Sequence, residues 1–236
     1  GLIKEEGIGV LERTALVLTE ESDLLPALSA LPEAVKKVNI TMGLPLKDHP
    51  MTQIISRLMQ LLSSDWKKGA SADLIRDLVL SLNPLVGNGV FPEPQWAMGS
   101  RIDRSEWKQF WTNAKASDLK MVPPPEPVTG ALELSTWLVA RLPDGMNKSC
   151  LEEILQQLKE LQRLQEEIAQ EDGTAIKDVD RLFRMLMKDA QLDFRGEPLE
   201  GLQIMGILES RALEFDHVLF TSLNEGCLPK GRPVQS

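Results

Sequence analysis

Cysteine is scarce in this chain: Cys150 and Cys227 stand far apart and in no CxxC pairing. Neither a disulfide framework nor a zinc site is expected from them, and two free thiols suit a reducing compartment. No apolar run approaches the roughly 20 residues that a membrane-spanning helix needs, and the first residues lack the basic-then-apolar order of a secretory signal. A cytoplasmic location with no membrane partner is therefore expected. Positive charge is also in deficit, with 26 Lys and Arg against 35 Asp and Glu and a net charge of −9. A strong autonomous nucleic-acid clamp needs a concentrated basic face, so any DNA contact has to be local or shared with other domains. Finally, no segment has the form GxxxxGKS or GxxxxGKT, which removes the loop that would cradle nucleotide phosphates. No cofactor and no bound metal are expected in these residues.

What is present is enough to fold. With 42% hydrophobic residues over a length of 236, the chain can bury one large core or two smaller ones. Residues 13–19, "RTALVLT", form a continuous apolar run bounded by charge, the pattern of a strand buried on both faces of a parallel sheet. "EESDLLPALSALP" follows as a short helix with Ser22 or Asp23 near its start and Pro32 after its end, and "VNITM" at 38–42 is a second strand. From Pro50 to about Asp193 the period changes to helical. Helices are expected at 51–66, 71–86, 105–117, 132–142 and 150–173, the last carrying a stripe from Leu151 to Ile168 and pairing with a further helix within 174–192. Residues 84–104 are a turn-rich connection, and "VPPPEPV" favours an extended stretch. Strand patterns return with "LQIM" at 202–205 and "HVLFTSL" at 217–223. The expected fold is α/β: a parallel sheet in two segments, 1–50 and 200–236, interrupted by a large all-α insertion at 51–199. The missing initiator Met and the close of the chain just past a strand pattern point to a piece of something longer.

The segment "ALEFDHVLF" followed by "NEGCLP" carries a resemblance. It is similar to the motif loop, apolar strand and acidic-Gly-x-x-Pro turn of the second RecA-like core domain in UvrD/Rep-type superfamily 1 helicases. Leu213, Glu214, Phe215, Asp216, Glu225, Gly226 and Pro229 fall in the family's order. The likeness covers about residues 13–62 and 200–230, and the helical middle matches in placement only. It implies a partial RecA-like, P-loop NTPase-like sheet. The motif's Thr, His, Lys and Gly stand here as Gly206, Leu208, Arg211 and Ala212, and the arginine expected after the first strand is Thr19. This degenerate pattern looks most like the helicase-like half of AddB/RexB-type helicase-nuclease subunits, especially Bacteroidetes proteins described as inactivated superfamily 1 helicases with a PD-(D/E)XK nuclease domain. The resemblance implies a non-catalytic role in binding or positioning DNA ends during double-strand-break processing. The partners it implies are single-stranded or end-containing DNA and a companion helicase-nuclease subunit. The alternative is a scaffold whose helical insertion docks a partner. An active ATPase would need a Walker loop from elsewhere.

By family position Glu214 meets the nucleotide ribose, where a carboxylate can accept from hydroxyl groups; otherwise it is a helix-face carboxylate paired with Arg211. Arg211, with Ser210 and Gly206 beside it, is the candidate DNA contact, since guanidinium suits a phosphate. A structural ion pair is its other reading. Trp96, Trp107 and Trp111 near Arg101, Arg104 and Lys108 would suit base stacking in a charged groove, but the i, i+4 spacing of Trp107 and Trp111 marks a buried helix face. His49 and His217 lack metal-ligand or nucleophile spacing and read as surface or turn residues. The Leu stripe of 151–168 packs on a neighbouring helix or docks a partner subunit.

Overall fold

The computed structural model describes residues 8–172, 178–193, 201–211 and 213–223. In chain order the elements are β1 (Thr14–Leu18), α1 (Leu24–Ala30), β2 (Val38–Ile40), β3 (Leu44–Pro45), α2 (Pro50–Leu62), β4 (Ala70–Ser71) and α3 (Ala72–Val86). They continue as β5 (Arg101–Ile102), α4 (Arg104–Asn113), α5 (Pro127–Val139), α6 (Met146–Asp172), α7 (Val179–Asp189), β6 (Gln191–Leu192), β7 (Leu202–Gly206) and β8 (His217–Phe220). The chain divides into two compact units, Gly1–Pro45 with Gln191–Ser236, and Leu46–Ala190. These borders precede the expected 50/51 by five residues and 199/200 by nine. The cause is the short antiparallel pair β3–β6, Leu44 opposite Leu192 and Pro45 opposite Gln191, which keeps both crossings with the sheet.

The first unit is α/β, with a four-stranded parallel sheet in the order β2–β7–β1–β8. β7 is buried throughout and β1 is buried except at Leu16, which is the burial a parallel sheet imposes on its inner strands. Two polar side chains interrupt this apolar interior. Asn39 on β2 lies directly opposite Gln203 on β7, and Asn39 Nδ2 donates to Gln203 Oε1 at 2.7 Å. Gln203 Nε2 in turn donates to the Gly201 carbonyl at 3.1 Å. Gly201 has φ +73°, and a Cβ there would overlap the Lys37 backbone, so the tight entry into β7 needs glycine. Ala15, Val17 and Met205 form the local core, with Ile207 and Phe215 packed on it. β8 is the edge strand, and its Val218, Leu219 and Phe220 are about half exposed.

The cap expected for the first helix works differently. Asp23 makes no side-chain bond to the α1 backbone. Its carboxylate accepts instead from Thr221 Oγ1 at 3.1 Å and Ser222 Oγ at 2.7 Å, and so holds the turn after β8. That turn contains Ser222 at φ +53°, an uncommon conformation for a residue with a side chain.

The second unit is helical around α2, which packs against α3, α5, α6 and α7. Met51, Ile54, Ile55, Leu58, Met59, Leu61 and Leu62 are buried, one face repeating every three or four residues. Each fully buried Leu or Ile contributes about 1.5–3 kcal/mol relative to exposure. Gly130 lets α5 approach α2, since a Cβ there would overlap Leu62. Leu151, Ile154, Leu158 and Leu161 of the α6 stripe are buried, and α6 packs against α5 and α7. α4 begins with a reciprocal cap, Asp103 Oδ1 accepting from Glu106 N at 2.9 Å and Glu106 Oε2 from Asp103 N at 2.8 Å. Among the described residues, no helix is long and apolar enough to cross a membrane.

Candidate functional site

Because all four strands of the sheet run the same way, β1, β2 and β7 end at one edge. Side chains and backbone that follow those ends meet there, the place where open α/β sheets hold ligands. A cleft of about 670 Å³ opens at this edge, a size within the range of small-molecule sites. Leu18 and Thr19 reach it from β1, Thr41 to Gly43 from β2, and Gly206 to Glu209 from β7, with Glu21, Gln191 and Asp193 closing the rim.

The charge of this rim is one-sided. Glu21, Asp193 and Glu209 line it, and no Lys or Arg does so among the described residues. Glu21 Oε2 accepts from Gln191 Nε2 at 3.2 Å, a neutral partner, and no ion pair reaches it among the described residues. Thr19 Oγ1 is buried and has no hydrogen-bond partner among the described residues. The side chain that follows β1 on this rim is a neutral hydroxyl, and it shares the cleft with three carboxylates. Such a rim disfavours a phosphate by like-charge repulsion. Among the described residues, no group of three or more His, Cys, Asp or Glu could hold a metal ion.

Of the residues expected to act on DNA or nucleotide, Gly206 alone lines the cleft. It ends β7 and is buried. Ser210 folds back on its own turn, its Oγ donating to the Ile207 carbonyl at 2.8 Å and its N–H to the Gly206 carbonyl at 3.2 Å. Arg211 and Glu214 are both exposed, and no ion pair joins them. Glu214 lies on an extended connection, not on a helix face, because the helical turn after β7 closes by Arg211. Asp216 is held instead by Arg13, which contacts it through Nε at 2.7 Å and Nη2 at 2.8 Å. This exposed fork also meets the Asp216 N–H bond to the Arg13 carbonyl at 3.0 Å, so it fastens the start of β8 to β1. Ala212, Glu225, Gly226, Pro229 and Cys227 lie outside the described residues.

The sequence reading missed Thr19 as an orphan hydroxyl and Glu209 and Asp193 as rim charges. Glu209 had a visible signal, a carboxylate four residues past the end of a strand pattern. Asp193 had none, since the short strand before it is two residues long.

The tryptophan question resolves toward packing. Trp107 and Trp111 are buried, their rings 5.4 Å apart, and Trp107 Nε1 donates to the Met121 carbonyl at 2.5 Å. Trp66, Phe91 and Phe110 join the same cluster edge-on. His49, read as a surface or turn residue, is buried at 2% exposure. Its Nδ1 accepts from Met51 N at 3.2 Å and so caps α2, and burial lowers its pKa. Cys150 is buried and its thiol is pushed up to about 12, which makes it chemically quiet.

Comparison with known proteins finds no matching family model, no matching curated protein and no matching solved structure.

Proposed function

We propose that this chain is a non-catalytic, partial RecA-like helicase domain with a helical insertion, part of a DNA-repair helicase-nuclease of the AddB kind, and that it binds or positions DNA ends. The observation that carries the non-catalytic half is the rim at the carboxyl edge of the sheet, where Thr19 and Gly206 stand with the carboxylates of Glu21, Asp193 and Glu209. Phosphate chemistry would need cations or a glycine-rich loop at that edge. The DNA half draws on the order of Leu213, Glu214, Phe215 and Asp216 after β7, and on Arg211, an exposed cation with no partner among the described residues.

The test is fluorescence anisotropy of labelled single-stranded and forked DNA against the longest form of the protein that carries this chain. Binding should weaken as salt is raised, remain unchanged by ATP, and fall in an Arg211→Ala variant by about the effect of one phosphate contact. Absence of binding at low salt would defeat the DNA half of the proposal.

A second reading, a protein-docking scaffold, is favoured by one specific observation: a net charge of −9 combined with an acidic rim suits a basic protein partner better than a polyanion. Among the two, only the scaffold survives if both DNA forms fail to bind.

A further inference from the structure

The helical unit contains an irregular segment of unusual length. Residues 87–100 run without regular structure, at the upper end of what a compact domain holds unless the loop has a task. Side chains of α3 hold it in place. Asn83 Nδ2 donates to the Phe91 carbonyl at 3.1 Å while Asn83 Oδ1 accepts from Phe91 N at 3.0 Å. Arg76 Nη2 donates to the Trp96 carbonyl at 2.5 Å, and Asp73 Oδ2 accepts from Gly99 N at 2.9 Å. Lys115 N adds a bond to the Val90 carbonyl at 2.7 Å. A loop fixed in this way has already lost the freedom that binding would otherwise cost.

Between this segment and α4 lies a cleft of about 290 Å³, lined by Glu93, Trp96, Glu106, Gln109, Phe110 and neighbouring residues. The volume is at the small end for ligand sites and matches one large side chain better than a nucleotide. Trp96 is half-buried and its ring lies 5.9 Å from that of Phe110, whereas Trp107 and Trp111 are core residues. Glu93 is exposed and has no ion-pair partner among the described residues. Glu106 commits Oε2 to the α4 cap. Arg101, Arg104 and Lys108, the cations expected to flank a base-stacking groove, are absent from the lining. An indole with two carboxylates and no cation is a receptor for positive charge.

The same unit already contains this receptor in occupied form. Arg141 sits over the Trp137 ring at 4.1 Å, and Asp118 binds both partners, accepting from Arg141 Nη2 at 2.6 Å and from Trp137 Nε1 at 2.9 Å. Tryptophan, carboxylate and arginine form a closed trio there. In the Trp96 cleft the aromatic and acidic members line the wall and no arginine does, since Arg76 is spent on the Trp96 carbonyl and Asp73.

We propose that the Trp96 cleft receives an arginine side chain from a basic segment of a partner protein. Guanidinium is favoured over ammonium because its plane stacks on the indole while its edge forks to a carboxylate. The inference does not depend on the DNA reading above.

The test uses the whole chain labelled with ¹⁵N and follows the tryptophan indole signals. The probes are acetyl-Gly-Arg-Gly-Arg-Gly-amide, its lysine counterpart and an oligothymidylate. The arginine peptide should shift the Trp96 signal saturably, and the lysine peptide should bind about fivefold more weakly. Glu93→Arg should abolish the shift and Glu93→Gln should weaken it; Glu93 is exposed, so both variants should fold. No saturable shift of Trp96 by the arginine peptide at about 10 mM, a concentration that detects even millimolar affinity, would overturn the proposal. Equal response to both peptides, or binding indifferent to Glu93→Arg, would overturn it as general charge attraction. Displacement of the peptide by oligothymidylate stacked on Trp96 would overturn it in favour of a nucleic-acid site.

Discussion

A single imidazole shows how much one residue's surroundings decide. His49 is buried, accepts a backbone N–H through Nδ1, and stands at the N-terminus of α2, where a positive charge opposes the helix dipole. Its pKa is lowered by burial from 6.5. The unfolded chain therefore takes up the proton first, and below pH 6.5 it binds more protons than the native protein. Stability contributed by neutral His49 is fully present above pH 6.5 and is lost as pH falls through its depressed native pKa. Urea midpoints measured from pH 7.5 to 5 should thus decline in the wild-type chain. They should decline less in His49→Asn, which keeps a capping acceptor and cannot titrate. Parallel curves for the two proteins would show that the cap is indifferent to charge. None of this was legible from the sequence, where an isolated histidine between Asp48 and Pro50 looks like a turn residue. Burial is a property of the packing around it. Glu214 and Arg211 show the converse: the motif order places them in a loop, but side-chain partners depend on backbone shape after β7.

Among the elements, long apolar patterns were legible and short ones were not. The run at 13–19 announced β1, and the stripe at 51–62 announced α2, because burial repeats over many residues there. The two-residue strands β3 to β6 carry no period at all, and the pairing of β3 with β6 lies where the units divide. The asparagine–glutamine pair across β2 and β7 was equally silent, since polar residues inside an apolar strand argue against burial until the partner strand is known. That pair should behave as a unit. Asn39→Val leaves Gln203 Oε1 without its donor in a buried position and should cost about 1–3 kcal/mol in urea unfolding. Asn39→Val with Gln203→Val removes both groups and should recover most of that loss. Additive losses in the double variant would mean the two side chains contribute separately.

The whole molecule joins a parallel sheet and a helical unit through adjacent crossings at Pro45 and Gln191. The sequence shows a change of hydrophobic period from two-faced strands to helical stripes and back. What was not visible is the charge at the carboxyl edge of the sheet, because Glu21, Asp193 and Glu209 are far apart in the chain and meet only through the strand order. That edge is the physical basis for reading the domain as non-catalytic. The most direct measurement is ATP hydrolysis by the longest form of the protein that carries this chain, with and without single-stranded DNA. The account predicts a rate no higher than background and no stimulation by DNA. DNA-stimulated hydrolysis that disappears in Glu214→Ala would contradict it and return the loop after β7 to catalytic service.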